Sequence, residues 1–190
     1  NDDANTVDYF LKFSKETTQP WFSVVYLDGV HYPYIQKPGY IIDDCELTNR
    51  NKWPDKLLNC YKNAIRYTSA LVAKILQSVD LTKTLVVITA DHGEGFNEHG
   101  SYFHNQDIYS FAIHVPLVIY LPEKLKTSLS RTDLKTFTLN TTTPVSTLDI
   151  LPTFLHILEK TSTNFVRPNI KLSGHNLFEA NLNRIIFASG

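Results

Sequence analysis

The apolar positions of the chain follow two different periods. Three short, mostly apolar runs predict buried strands: Trp21–Leu27, Leu85–Ala90 and Val115–Tyr120. Two longer stretches repeat their apolar residues every three or four positions and predict amphipathic helices: Cys60–Val79 and Ser146–Leu158. Because helices and buried strands succeed one another, we predict an α/β fold with a mixed, largely parallel sheet flanked by helices.

The remaining segments carry weaker signals. Residues Asn1–Thr6 are polar, so we expect them to be frayed, whereas Val7–Ser14 predicts a short helix. Glu123–Thr143 lacks a long apolar run, which predicts a surface excursion with an edge strand at Thr136–Leu139. The sequence RIIFA at Arg184–Ala188 predicts a last strand.

Composition narrows the class of protein. With 190 residues, 43% of them hydrophobic, the chain is long enough for one globular domain. A formal net charge of −1 and the absence of a basic run argue against a nucleic-acid partner. No apolar stretch is long enough to span a membrane. The chain contains no Met, so we expect it to be part of a longer protein.

The strand predicted at Leu85–Ala90 ends in two residues that suit a metal. Asp91 and His92 follow it directly, and ligands bind outside the carboxyl ends of strands in open α/β sheets. A carboxylate beside an imidazole suits a divalent cation such as Zn²⁺ or Mn²⁺. An Asp that caps the turn and a His that packs nearby is the alternative, but Gly93 permits a tight turn that brings both side chains to one ion.

A second strand end brings another imidazole. His31 follows the strand predicted at Trp21–Leu27, and His104 follows the Asp91-His92 pair by about a dozen residues. Either could ligate a metal or contact an anionic substrate group. The polar groups Glu94, Glu98 and His99 lie between, whereas we expect structural roles for His114, His156 and His175. The chain contains no G-x-S-x-G elbow and no P-loop, which disfavours a Ser/His/Asp hydrolase and a nucleotide-binding protein.

Four segments together resemble a known family. They are PWFSVVYLDGVHYPY, the helix NCYKNAIRYTSALVAKIL, the stretch TLVVITADHGEGFNEHGSYFHNQ with HVPLVIYLP, and TLDILPTFLHIL followed by GHNLF. The chain resembles the C-terminal half of a sulfatase/alkaline-phosphatase-like domain. It looks most similar to the membrane-anchored branch of YejM/PbgA-type proteins, lipoteichoic acid synthases and phosphoethanolamine transferases.

The resemblance implies roles for single residues. Asp91 and His92 match two metal ligands, for Zn or Mn, with Ca or Mg as further options. His104 and His31 match catalytic positions that contact the phosphate or sulfate of the substrate, or a second metal. The two cysteines flank a polar loop, and could be two buried thiols or a disulfide; the similar disulfide of the transferases implies a Cys45–Cys60 bond.

The resemblance also implies a function and a setting. We expect part of a metal-dependent hydrolase of sulfate or phosphate esters, or a phospho-group transferase, with a lipid-linked substrate. The alternative is a non-catalytic lipid-binding or regulatory periplasmic domain. The nucleophile and an acidic metal ligand are expected in an N-terminal part of the same protein outside these residues, so we expect the chain alone to be inactive. Its place would be the extracytoplasmic face of the inner membrane, anchored by an N-terminal membrane region outside this chain.

Overall fold

The fold was analysed in a computed structural model, which describes residues 2–47, 53–104, 108–180 and 184–186. The chain forms two compact units. The first comprises Asn1–Asp80 and Glu94–Asn105, and the second comprises Leu81–Gly93 and Gln106–Gly190. The boundary therefore falls inside the D-H-G-E motif, between Gly93 and Glu94.

The first unit begins with a helix, so the expectation of a frayed N-terminus was wrong. Helix α1 spans Asp3–Glu16, and the side chain of Asp2 caps it by accepting the N–H of Ala4. A carboxylate at this position satisfies an otherwise unpaired donor and suits the positive end of the helix. Val7 and Phe10 are buried from α1, which fixes the helix against the rest of the unit.

Helix α2, at Trp53–Ser78, is the centre of the first unit and begins earlier than the sequence predicted. Its buried side chains belong to two apolar clusters. One contains Leu57 and Cys60, and the other contains Leu71 with Val7 of α1. A disulfide joins Cys45 to Cys60, as predicted, and ties the preceding loop to the first turns of α2.

The predicted strand Trp21–Leu27 forms no strand. Its side chains alternate in exposure, with Phe22, Val24 and Tyr26 between 66% and 77% exposed. An apolar run predicts a strand, but a strand also requires a hydrogen-bonded neighbour, which the sequence pattern does not supply. The first unit contains instead a short antiparallel hairpin of β2 (Gly95–Phe96) and β3 (Tyr102–Phe103).

The second unit contains an antiparallel strand pair. Strand β1 (Val86–Thr89) pairs with β4 (Leu117–Tyr120), in the positions predicted for two of the strands. Among the described residues both sheets have two strands and both are antiparallel, so the largely parallel sheet expected from the sequence is not seen. The chain between β1 and β4 includes a short helix α3 at Ser110–Ile113 rather than a full crossover helix.

Helices cover the remainder of the second unit. Helix α4 spans Glu123–Lys126, α5 spans Arg131–Leu139 and α6 spans Ile150–Thr161. The predicted edge strand at Thr136–Leu139 was wrong because Ser130 and Asp133 form a capping box that starts α5. Residues 184–186 form no strand, and the rest of the last predicted strand lies outside the described residues.

The core of the second unit lies where the loop after β4 meets α6. Its buried members are Leu121, Leu125, Leu129, Ile157 and Phe178. No helix in the described ranges is both long and apolar enough to cross a membrane.

Candidate functional site

Asp91 and His92 lie just after strand β1 in the second unit, and their side chains are close to each other. The carboxylate Oδ1 of Asp91 lies 3.8 Å from Nε2 of His92, and the same oxygen accepts the backbone N–H of His92 at 3.0 Å. The Asp91 side chain is 67% exposed and that of His92 is 38% exposed. Both donors are therefore accessible from solvent, as a metal-binding pair must be.

The hydrogen bonding of His92 selects its tautomer. Its Nδ1 lies 2.8 Å from the carbonyl oxygen of Gly93, which can only accept a hydrogen bond, so Nδ1 carries the proton. In the neutral ring Nε2 then has the lone pair that a metal ligand needs. Two ligands held at about 2.0–2.2 Å from one ion can be separated by the observed distance to Asp91.

The pair fits a divalent metal but does not complete a site. Within the described part of the chain, no group of three or more His, Cys, Asp and Glu side chains could hold an ion. Protein metal sites of this type use three or four protein ligands. Asp91 and His92 would thus supply two donors, and any further ones must come from elsewhere.

The turn after Asp91-His92 depends on Gly93. A Cβ at this position would lie 1.9 Å from the carbonyl oxygen of Phe111, and the Gly93 N–H donates to the carbonyl of Ala112 at 2.7 Å. Helix α3 and the turn after β1 therefore pack backbone to backbone. Only glycine allows this approach, which supports the predicted tight turn.

His31 lies in the first unit, on a turn that a carboxylate of α1 anchors. Buried Asp3 accepts the backbone N–H of Asp28 at 3.0 Å and of Gly29 at 2.7 Å. The N–H of His31 in turn donates to the carbonyl of Asp28 at 3.0 Å. The Nδ1 of His31 lies 2.7 Å from the carbonyl of Tyr32, so this nitrogen also carries a proton.

The structure brings His31 and His104 together. Their ring centroids lie 5.5 Å apart in an edge-to-face arrangement. His104 follows β3 directly, and its Nδ1 lies 3.4 Å from Oε1 of Glu94, whose side chain is only 6% exposed. The hydroxyl of buried Tyr34 donates to Oε2 of the same carboxylate at 3.3 Å. We call His31, His104, Glu94 and Tyr34 the histidine cluster.

Two tyrosines near the Glu94 carboxylate stay protonated. Burial, reinforced by the negative charge of Glu94 and its hydrogen bond, raises the pKa of the Tyr34 hydroxyl far above its usual range. Burial and the same carboxylate also raise the pKa of Tyr61. Both phenols therefore stay neutral at physiological pH, and Tyr34 acts as a donor toward Glu94.

The four predicted site residues thus form two pairs. Asp91 and His92 meet in the second unit, and His31 and His104 meet in the first. That these two pairs belong to a single site stays a prediction. Tyr34 and Asp3 were not predicted as site residues. Tyr34 ends the segment PWFSVVYLDGVHYPY but was given no chemical role there, and Asp3 lies in the polar N-terminal segment.

The remaining histidines occupy the structural places expected of them. His156 stacks on Phe178 with ring centroids 5.0 Å apart. The backbone N–H of His114 donates to the carbonyl of Ser110, and that of His175 donates to the buried carboxylate of Asp149. His99 is exposed in the loop of the β2–β3 hairpin. These observations add no further imidazole to either pair.

Comparison with known proteins identifies the class. The model of the sulfatase family matches residues 1–160, so this chain belongs to the sulfatase family. Searches among curated proteins and among solved structures give no match. The family points to sulfate esters as substrates and to a divalent metal ion as the general cofactor of its members.

Proposed function

We propose that this chain supplies metal-binding and anion-contacting residues of a sulfatase-family ester hydrolase. The observation that carries the proposal is the pairing of His31 with His104, which come from distant parts of the sequence. Two imidazoles in contact on a partly exposed surface suit the tetrahedral oxyanion of a sulfate or phosphate ester. Membership of the sulfatase family supports the same reaction class.

Each pair would have a distinct task in this reaction. Oδ1 of Asp91 and Nε2 of His92 would hold a divalent metal, Zn or Mn. Such an ion would supply Lewis-acid stabilisation of the negative charge that develops on the ester oxygens. His31 and His104, when protonated, would orient the non-bridging oxygens or donate a proton to the leaving oxygen.

A lipid-linked substrate and an extracytoplasmic location are part of the proposal. The Cys45–Cys60 disulfide supports an oxidising compartment, because cytosolic proteins rarely keep such bonds. We also propose that the nucleophile and a further acidic metal ligand belong to an N-terminal segment of the same protein. Transfer of a phospho group to an acceptor is the variant of this chemistry that the resemblance to transferases suggests.

A hydrolysis assay with the complete protein tests the proposal. We expect the protein supplied with Zn²⁺ or Mn²⁺ to cleave an aryl sulfate or an aryl phosphate, and His104→Ala to lower kcat/KM roughly 10²-fold or more. His114→Ala, which removes an exposed imidazole outside both pairs, is the matched control and should leave the rate unchanged. The 190-residue chain alone should show no turnover.

Metal analysis separates the metal pair from the histidine cluster. Asp91→Ala should abolish stoichiometric binding of Zn²⁺ or Mn²⁺, whereas His31→Ala should retain it. If the complete protein binds metal but cleaves neither ester, the hydrolase proposal fails and the non-catalytic alternative gains. If Asp91→Ala keeps its full metal content, the assignment of the metal pair is wrong.

A further inference from the structure

The register of the β2–β3 hairpin sets Glu94 opposite His104. Gly95 pairs with Phe103 and Phe96 pairs with Tyr102, so the next position outward on each strand is Glu94 on one side and His104 on the other. Side chains directly opposite in an antiparallel pair lie on the same face of the ladder. Just beyond the last paired residues, Oε1 of Glu94 lies 3.4 Å from Nδ1 of His104.

Glu94 is too buried to be an ordinary surface carboxylate. Its side chain is 6% exposed, and a buried carboxylate is costly unless donors surround it. Its two oxygens are divided between two donors: Tyr34 Oη–H reaches Oε2, and His104 Nδ1 reaches Oε1. Tyr61, the other titratable group that senses the Glu94 charge, is itself half-buried and neutral.

We propose that Glu94 is the positioning residue of His104. Its carboxylate accepts the Nδ1–H of the imidazole, which fixes the ring orientation and selects the Nδ1–H tautomer of the neutral ring. Nε2 is then the nitrogen that accepts or donates a proton. Tyr34 donates to the second carboxylate oxygen, Oε2. A carboxylate that orients a histidine through Nδ1 is a general device of acid–base catalysis.

The consequence for catalysis rests on the proposed function. As the nucleophile bonds to the sulfur or phosphorus of the ester, the bond to the leaving oxygen breaks. Its electron pair goes to that oxygen, which takes the Nε2 proton from protonated His104. Glu94 compensates the positive charge of the imidazolium before that transfer. The hydrogen-bond arrangement itself does not depend on the identity of the substrate, so it can be tested without turnover.

Nitrogen NMR of the ¹⁵N-labelled full chain reads the tautomer directly. We expect His104, assigned by its loss in His104→Ala, to show a protonated Nδ1 and an unprotonated Nε2 at a pH where its ring is neutral. Glu94→Ala should shift the ring toward the Nε2–H tautomer, which free histidine prefers in water. Glu94→Gln should keep the Nδ1–H form, because the amide oxygen can still accept the hydrogen bond.

Two further variants act as controls. Tyr34→Phe removes the other donor to Glu94 and should keep the Nδ1–H tautomer. Glu98→Ala removes an exposed carboxylate that accepts the Phe96 N–H in the same hairpin and should leave the His104 tautomer unchanged. In the complete enzyme, Glu94→Ala should lower kcat while KM stays within about twofold. A wild-type His104 in the Nε2–H form overturns the proposal even if Glu94→Ala does not fold. Persistence of the Nδ1–H form in folded Glu94→Ala also overturns it.

Discussion

Replacing Asp149 by Ala should destabilise the second unit more than any exposed carboxylate change. The carboxylate is fully buried and accepts the backbone N–H of Ser146 at 2.7 Å and of His175 at 2.8 Å. Both of its oxygens also accept from the guanidinium of Arg184, one of them at 2.8 Å. The substitution removes these acceptors and leaves a cation, only 11% exposed, without its counter-charge.

The expected change in the free energy of unfolding follows from these contacts. Loss of one partner of a buried ion pair costs about 3–5 kcal/mol. Asp133 offers a matched control, because it forms the same Ser-x-x-Asp capping box at the start of α5 but has no buried arginine partner among its hydrogen bonds. Loss of such a cap costs about 1 kcal/mol. Asp149→Ala should therefore exceed Asp133→Ala by roughly 2–4 kcal/mol.

Urea unfolding at pH 7, followed by circular dichroism, measures this difference. The pKa of Asp149 gives a second readout. Burial raises this pKa, but Arg184 and the two backbone N–H groups outweigh burial, so the net pKa lies below the ordinary 3.8. The stabilisation is thus complete above about pH 4 and is lost as the pH falls through the folded pKa. Equal destabilisation by the two substitutions, or a difference that does not shrink as the pH is lowered from 4, would refute this account.

Three further perturbations follow from single contacts. Gly93→Ala should destabilise the chain by about 1–3 kcal/mol in urea, because the new Cβ would overlap the Phe111 carbonyl. It should also weaken metal binding, and an unchanged metal affinity would contradict this. Asp3→Ala should cost about 1–3 kcal/mol, since two backbone N–H groups lose their acceptor, and Asp3→Asn should cost less; equal stability of Asp3→Ala and wild type would oppose it. Reduction of Cys45–Cys60 should lower the free energy of unfolding by about 3 kcal/mol, and reductant should leave a Cys45→Ser, Cys60→Ser chain unaffected.

The helices show which part of the fold is local. The apolar faces of α2 and α6 repeat at helical spacing, which predicted both helices, although α2 begins at Trp53 rather than Cys60 and α6 at Ile150 rather than Ser146. Periodicity and capping act over a few residues, so they can be recognised in sequence. The wrong predictions at the start of α1 and at α5 have the same cause. Both helices begin at a residue whose side chain caps the helix, and this cap outweighs the weak apolar pattern of the helix.

The sheets show which part is not local. The runs at β1 and β4 are apolar enough to predict strands, but their antiparallel pairing is a choice between partners. An equally apolar run at Trp21–Leu27 forms no strand at all. Which strands pair, and in which direction, depends on how the chain returns through space. The pattern of apolar residues along a run carries no information about either.

The candidate site, like the fold, has some features that the sequence predicts and others that arise only in the folded chain. The sequence by itself indicated the family and implied the disulfide, and both are seen. It also predicted the four site residues Asp91, His92, His31 and His104, whose roles stay a prediction, since motif chemistry depends on residue type and spacing along the chain. The tertiary structure alone decided that His31 contacts His104, and that buried Glu94 lies opposite His104 with Tyr34 beside it. These contacts join residues far apart in sequence. Their hydrogen bonds arise from burial and hairpin register, which exist only in the folded chain.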